Sequence, residues 1–242
     1  MIDLAGMTIL ITGGGSGIGR EAARLFDRMG AELILVGRRL ECLRETLPGA
    51  RHVALDHGLD AEVAAFAQGC PALDGLFLNA GQLETGTVAS TPVTQFDRMI
   101  AANLRGPWLM CHHLGPRLKD GASVVLTGSN IAIRSIPDSA AYAVAKAGVH
   151  MLAQVLAQEW GPRGIRCNAI APGPVLTDML KVRLENLEDP GGALDQLRHV
   201  NPLERLGTEA EVANLAAYLL SRESRWTTGT LIPVDGGATA VF

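Results

Sequence analysis

Three side chains carry the strongest chemical suggestion in this sequence. Tyr142 and Lys146 stand four apart in a segment, 139–156, rich in Ala, Val and Leu. That composition suits a helix, and a spacing of four puts both side chains on one helical face. A free phenol titrates near 10 and moves protons poorly at neutral pH, but a neighbouring ammonium favours the phenolate. So tuned, a tyrosine acts as a general acid or base. Taken alone, the pair reads more simply as an amphipathic tyrosine on a helix surface beside a solvated lysine. Ser129 changes that balance. It lies thirteen residues earlier, at the C-terminal end of a predicted strand, where the active groups of open parallel sheets gather.

The elements that must position these residues follow from alternation. Short β-branched or leucine-rich runs at 7–12, 32–37, 52–55, 75–78, 123–127, 166–170 and 230–234 read as strands. Between them, 17–29, 39–47, 60–68, 94–118, 139–160 and 208–221 read as helices. The pattern predicts βαβ units: a doubly wound Rossmann fold with a seven-stranded parallel sheet and helices on both faces. No linker or internal repeat interrupts it, so residues 1–242 are expected to form one domain. The irregular stretch is 175–201, where Val175, Leu176, Met179, Leu180, Leu184 and Leu187 precede a Pro190-Gly191-Gly192 break. An excursion of that length outside a sheet is usually a functional lid.

Composition narrows the function classes. The 28 glycines are about 12% of the chain against an average near 7%, with no triplet period, and 48% of residues are hydrophobic. Collagen and low-complexity chains are thereby excluded, and glycine must serve local purposes. The net charge is −4 and no basic run exceeds Arg38-Arg39, so a nucleic-acid partner is not expected. Cys42, Cys70, Cys111 and Cys167 are scattered with no C-x-x-C pair, which fits small core residues in a reducing compartment. Residues 1–12 lack the basic start of a signal peptide, and no apolar run reaches the roughly 18 residues of a membrane span. A cytoplasmic protein is expected.

Strand 7–12 runs directly into Thr12-Gly13-Gly14-Gly15-Ser16-Gly17-Ile18-Gly19, and a helical pattern begins at Arg20. Glycines there permit positive φ and close backbone approach, while the first-turn N–H groups and helix dipole suit a pyrophosphate. This turn resembles the cofactor motif of the short-chain dehydrogenase/reductase family, and further segments of that family follow in order. They are Asn79-Ala80-Gly81, Asn103, Ser129, Tyr142-x-x-x-Lys146, Pro172-Gly173 and Val234-Asp235-Gly236-Gly237. The match spans essentially the whole chain, and within the family the pattern is similar to 3-oxoacyl-ACP reductase-like members.

The resemblance implies a nicotinamide-dependent oxidoreductase acting on CH–OH groups, with a catalytic tetrad. Ser129 would hydrogen-bond the substrate oxygen and Tyr142 would exchange its proton. Lys146 would lower the Tyr142 pKa and hold the nicotinamide ribose, and Asn103 would position a water that relays protons to Lys146. The dinucleotide would lie on Gly13, Gly15, Ser16, Gly17, Ile18 and Gly19, on Asn79-Ala80-Gly81, on Tyr142 and Lys146, and on Pro172, Gly173, Val175 and Thr177. Asn79 and Thr177 read equally well as a turn cap and a helix N-cap. Asp56 resembles the family's adenine contact, with the His57 backbone as a second; as a bare residue, Asp56 reads as a cap for the helix near Asp60.

Strand 32–37 ends at Gly37-Arg38-Arg39, where a carboxylate would select a free 2′-hydroxyl. Gly37 takes that position, and the Arg38 guanidinium, with Arg39, suits a 2′-phosphate, which favours NADP(H) over NAD(H). The alternative is a solvated helix start. Ser16 stands where many NADP-preferring members carry a second basic residue.

The segments around the site, Gln82, Leu83, Asn130 to Ile136 and the 175–201 lid, are mostly apolar. They suit a small hydrophobic ketone or alcohol. Arg134, Arg183, Arg198 and His199 read as outward surface charges, with an anionic substrate tail as the alternative. His112-His113 lacks a spaced partner cluster, so no metal is expected. The family assembles through the helices at 94–118 and 139–160 and through the last helix and strand, which implies a homotetramer or homodimer. A non-catalytic dinucleotide-binding sensor or scaffold is the competing class, since a fold alone does not dictate chemistry.

Overall fold

Alternating side chains build two cores on one sheet. In the computed structural model, which describes residues 2–241, seven strands run parallel in the order β3-β2-β1-β4-β5-β6-β7. They are β1 (Thr8–Thr12), β2 (Glu32–Gly37), β3 (Arg51–Ala54), β4 (Leu73–Leu78), β5 (Leu118–Thr127), β6 (Arg166–Pro172) and β7 (Leu231–Val234). Ile9 and Ile11 of β1, Phe77 of β4 and Val125 of β5 face one side; Leu10, Leu76, Leu78, Val124 and Leu126 face the other. This is the period of two expected of strands buried on both faces.

Helices cover each side. On the first pack α1 (Gly17–Arg28), α2 (Leu40–Thr46) and α9 (Glu209–Leu220), through Ala22, Ala23, Phe26, Leu43, Val212 and Ala216. On the second pack α3 (Asp60–Gln68), α5 (Gly106–Leu114) and α6 (Ala140–Trp160), through Val63, Met110, Leu114, Val149, Leu152 and Leu156. By length and composition, the stretch Ala140–Arg163 containing α6 is apolar enough to cross a membrane, against the expectation that no segment would be. Its buried face lies in the core, which accounts for that hydropathy.

Three further departures from the expected elements matter for the site. The helix expected at 94–118 is divided into α4 (Val93–Ile100), a π-helical turn (Ala101–Arg105) and α5, and ends in a short 3-10 turn. The strand expected at 123–127 begins at Leu118. The excursion after β6 forms two helices, α7 (Asp178–Glu185) and α8 (Pro190–His199). A parallel bridge between Val175 and Gly207 joins its entry to its return.

Arg166, at the start of β6, is 8% exposed. Its guanidinium donates to the carbonyls of Leu219, Leu220, Ser221 and Ser224 and to the Ser224 hydroxyl. The last carbonyls of α9 have no helical donor, and a cation there also complements the helix dipole. Replacing Arg166 with Leu is expected to destabilise the fold by about 2–4 kcal/mol, because the Leu220 and Ser224 carbonyls lose this donor while those of Leu219 and Ser221 keep only serine hydroxyls. Urea unfolding measures it, and a loss below about 1 kcal/mol would show the carbonyls finding other donors.

Candidate active site

The glycine turn after β1 is shaped by close approach. Gly13 and Gly17 have φ of +71° and +53°, values that cost a side-chain-bearing residue steric strain. A Cβ on Gly19 would lie 2.2 Å from the Gly13 carbonyl oxygen and 2.8 Å from Asn79 Nδ2, so only glycine lets α1 start against the turn. Ser16 is the N-cap of α1 but forms no side-chain cap, and the first turn holds no acidic residue. Its N–H groups are therefore open to an anion.

Thr12 was not singled out as a site residue, yet it joins two segments of this site. Its hydroxyl accepts from the backbone N–H of Asn79 at 3.0 Å and of Ala80 at 3.1 Å. The turn after β4 is thus fixed to the end of β1. Asn79 also accepts a hydrogen bond from Thr127 and borders Gly19, so it acts as a connector between strands. Gly81 continues this surface: a Cβ there would lie 2.7 Å from Asn103 Oδ1 and 3.4 Å from Lys146 Nζ.

Asn103 is fully buried in the π-helical turn. Its Nδ2 donates to the Gln82 and Met99 carbonyls, and its Oδ1 accepts from the Gln82 N–H. Four residues on stands Pro107, which has no N–H to offer the Asn103 carbonyl. That carbonyl lacks its α-helical partner, and Pro107 was the sequence signal for it.

Ser129, Tyr142 and Lys146 come together as their spacing predicts. Ser129 follows β5, is buried, and its Oγ accepts from the Ile131 N–H. Lys146 is 3% exposed and donates to the Thr127 carbonyl at 2.7 Å. Its Nζ lies 5.7 Å from the Tyr142 ring centroid, over the ring. The expected lowering of the phenol by Lys146 is not what dominates: burial pushes Tyr142 above its usual 10, and the hydrogen bond with Ser129 opposes that. Burial likewise pulls Lys146 from 10.5 down to about 8. The start of α6 is held by a bridge in which Gly86 N–H donates to the Asp138 carbonyl and Ala140 N–H to the Gly86 carbonyl.

The remaining residues fall around this centre. Arg38 and Arg39 are exposed beyond β2, and Arg39 occupies the N-cap position of α2. Asp56 does not cap the helix at Asp60, whose N-cap is Leu59; its Oδ1 instead accepts from the Gly58 N–H. The His57 ring turns inward against Gly106, and burial holds it down near 4. Pro172 ends β6, and Gly173 bonds the Val234 carbonyl. Val175 is buried at the root of the excursion, where Thr177 caps α7 through the Leu180 N–H and faces Gly17. His113 pairs with Asp60 at 2.7 Å. The open N–H groups, the surfaces that would not admit a Cβ and the buried lysine together fit a dinucleotide with its pyrophosphate on α1.

Lys146 has a thermodynamic signature. Between about pH 8 and 10.5 the unfolded chain keeps the lysine proton that the folded chain has lost, so stability rises with pH in that window. Relative to Lys146→Met, the wild type is expected to gain about 3 kcal/mol across it. Urea midpoints of the two proteins over that range provide the check; a constant gap would mean that the ammonium is not desolvated.

A family profile described as "Enoyl-(Acyl carrier protein) reductase" matches residues 13–239. Levodione reductase of Leifsonia aquatica is 36% identical over 97% of this chain and 94% of its own length. Oxidoreductase UcpA of Escherichia coli K12 is 37% identical, over 99% and 97%. The crystal structure of levodione reductase superposes with a TM-score of 0.92, covering 99% of this chain and all of that one, at 34% identity. With the parallel sheet, the glycine turn and the Ser129–Tyr142–Lys146 group, these likenesses place the chain in the short-chain dehydrogenase/reductase family of NAD(P)-dependent oxidoreductases.

Proposed function

We propose that this chain is an NADP(H)-preferring carbonyl reductase or secondary-alcohol dehydrogenase in which Tyr142 exchanges the substrate proton. The observation that carries the reading is the meeting of Ser129, Tyr142 and buried Lys146 beside Gly81, at the carboxyl ends of the strands. The bound nicotinamide supplies a hydride to the carbonyl carbon, or takes one from the alcohol. Ser129 donates its hydroxyl hydrogen bond to the substrate oxygen and fixes its position. In reduction Tyr142 Oη gives its proton to that oxygen as negative charge develops. Lys146 stabilises the resulting phenolate and holds the ribose. The Asn103 carbonyl, denied its α-helical donor by Pro107, holds a water that returns a proton toward Lys146.

The dinucleotide rests on the α1 N-terminus along Gly13 to Gly19, on Asn79, Ala80 and Gly81, and on Pro172 to Thr177, with Asp56 and the His57 backbone at the adenine. Preference for NADP(H) rests on charge: β2 ends in Gly37 with no carboxylate, and the exposed Arg38 guanidinium is suited to a 2′-phosphate. Exposed Ile133, Ile136, Leu176 and Met179 give the mouth of the site an apolar rim. This favours a small hydrophobic ketone, and the relative levodione reductase is named for a carbonyl reduction. Phe96, Trp108, Val144 and Met151 are exposed on α4, α5 and α6, which supports a homotetramer joined through these helices. Three buried free cysteines accord with a cytoplasmic location.

Tyr142→Phe is expected to lower turnover with a small hydrophobic ketone by about 10²–10⁴-fold, and retained turnover would remove Tyr142 from the proton transfer. Arg38→Ala is expected to raise the NADP⁺ dissociation constant by about tenfold to a hundredfold and to leave that of NAD⁺ nearly constant. Calorimetric titration of both dinucleotides decides it; an unaltered ratio rules out the 2′-phosphate contact.

A further inference from the structure

Gln82 and Arg38 meet across the groove in which the dinucleotide would lie. Thr12 of β1 pairs with Val36 of β2 on one side and with Leu78 of β4 on the other. Arg38 is two residues beyond Val36 and Gln82 four beyond Leu78, so a contact between them passes over the end of β1 and the start of the glycine turn. The contact exists. The Gln82 amide, in the orientation that gives both of its ends complementary partners, accepts from Arg38 Nη2 at 3.1 Å and Nη1 at 3.3 Å.

Both halves of the guanidinium fork are thus directed at one neutral oxygen. Those N–H groups are also the ones a phosphate would take bidentately. The mount of the acceptor is firm. The Gln82 N–H and carbonyl are both bonded to the side chain of fully buried Asn103, which is bonded in turn to the Met99 carbonyl. A glutamine with its backbone fixed at both polar atoms has only its side-chain rotamers left to order on holding Arg38.

Resting on the reading that Arg38 receives the 2′-phosphate, we propose that Gln82 is a specificity-determining residue: it occupies the Arg38 fork across the groove, so that NADP(H) must displace it while NAD(H) need not. A 2′-phosphate is the stronger acceptor and wins the exchange, but its advantage is reduced by the bond it replaces. A 2′-hydroxyl leaves Arg38 on Gln82 with its donors satisfied. Gln82 therefore narrows the gap between the two dinucleotides, and its removal widens it.

The experiment is calorimetric titration of the full chain with NADP⁺ and with NAD⁺ for wild type, Gln82→Ala, Gln82→Glu and Arg38→Ala. The ratio of the two dissociation constants is read, because a general loss of fold moves both constants together. Gln82→Ala is expected to shift the ratio toward NADP⁺ by about threefold to tenfold. Gln82→Glu is expected to shift it toward NAD⁺, since a charged acceptor holds the fork more tightly. If Arg38→Ala lowers NADP⁺ preference while Gln82→Ala leaves the ratio unchanged or lowers it, the proposal is overturned and the phosphate reading stands. An unchanged ratio in Arg38→Ala removes the phosphate reading and the proposal with it.

Discussion

The reversal of strand order at β1 is the constraint on which the rest of this molecule depends. From β1 the chain builds outward through β2 and β3, then returns with β4 to the other side of β1 and continues to β7. Parallel crossovers are right-handed as a rule, so the helices that follow β1 and β2 cover one face and those that follow β4 and β5 the other, whereas α9, between β6 and β7, lies back on the first face. The loops of the two halves diverge above β1 and leave a crevice at the carboxyl end of the sheet. Thr12 sits at that point, with its hydroxyl on the turn after β4, and the glycine turn follows it directly.

Bringing polar groups to the floor of such a crevice has an energetic cost that the local structure must offset. Asn103 and Lys146 are almost wholly removed from water. Asn103 is compensated by three backbone partners, which only a helix distorted into a π turn beside the residue-82 backbone provides. Lys146 has a single carbonyl, that of Thr127, and is correspondingly displaced toward its neutral form. The contrast separates a group that fixes geometry from one whose proton is only loosely held.

Much of this was legible in the chain, for identifiable reasons. The sheet was readable because strands buried on both faces leave continuous apolar runs, and the glycine turn because its close contacts exclude side chains. Tyr142 and Lys146 were found because helical spacing is a local property. What could not be read depends on meetings between distant segments. Nothing near Asn103 announces that its amide will hold residue 82. The acceptor for Arg38 lies in the loop that follows a different strand, β4. Asp56 has the side chain of a helix cap, but the chain turns on itself at Gly58 before α3 begins, and that tight turn takes its carboxylate first. Helices α7 and α8 were not legible because Pro190-Gly191-Gly192 reads as a break, whereas proline at the first turn, behind the capping Asp189, starts α8.

The bridge between Val175 and Gly207 bears on how such a protein diversifies. Leu176 donates to the Gly207 carbonyl and Gly207 to that of Pro174, so the two ends of the intervening segment are held side by side. The entropy of closing that loop is met by the bridge, whatever the loop contains. α7 has a further tie to the body of the fold, the ion pair between Asp178 and Arg20 of α1 at 2.9 Å. Because closure entropy grows only slowly with loop length, a segment anchored at Val175 and Gly207 can change in length at small cost to the fold.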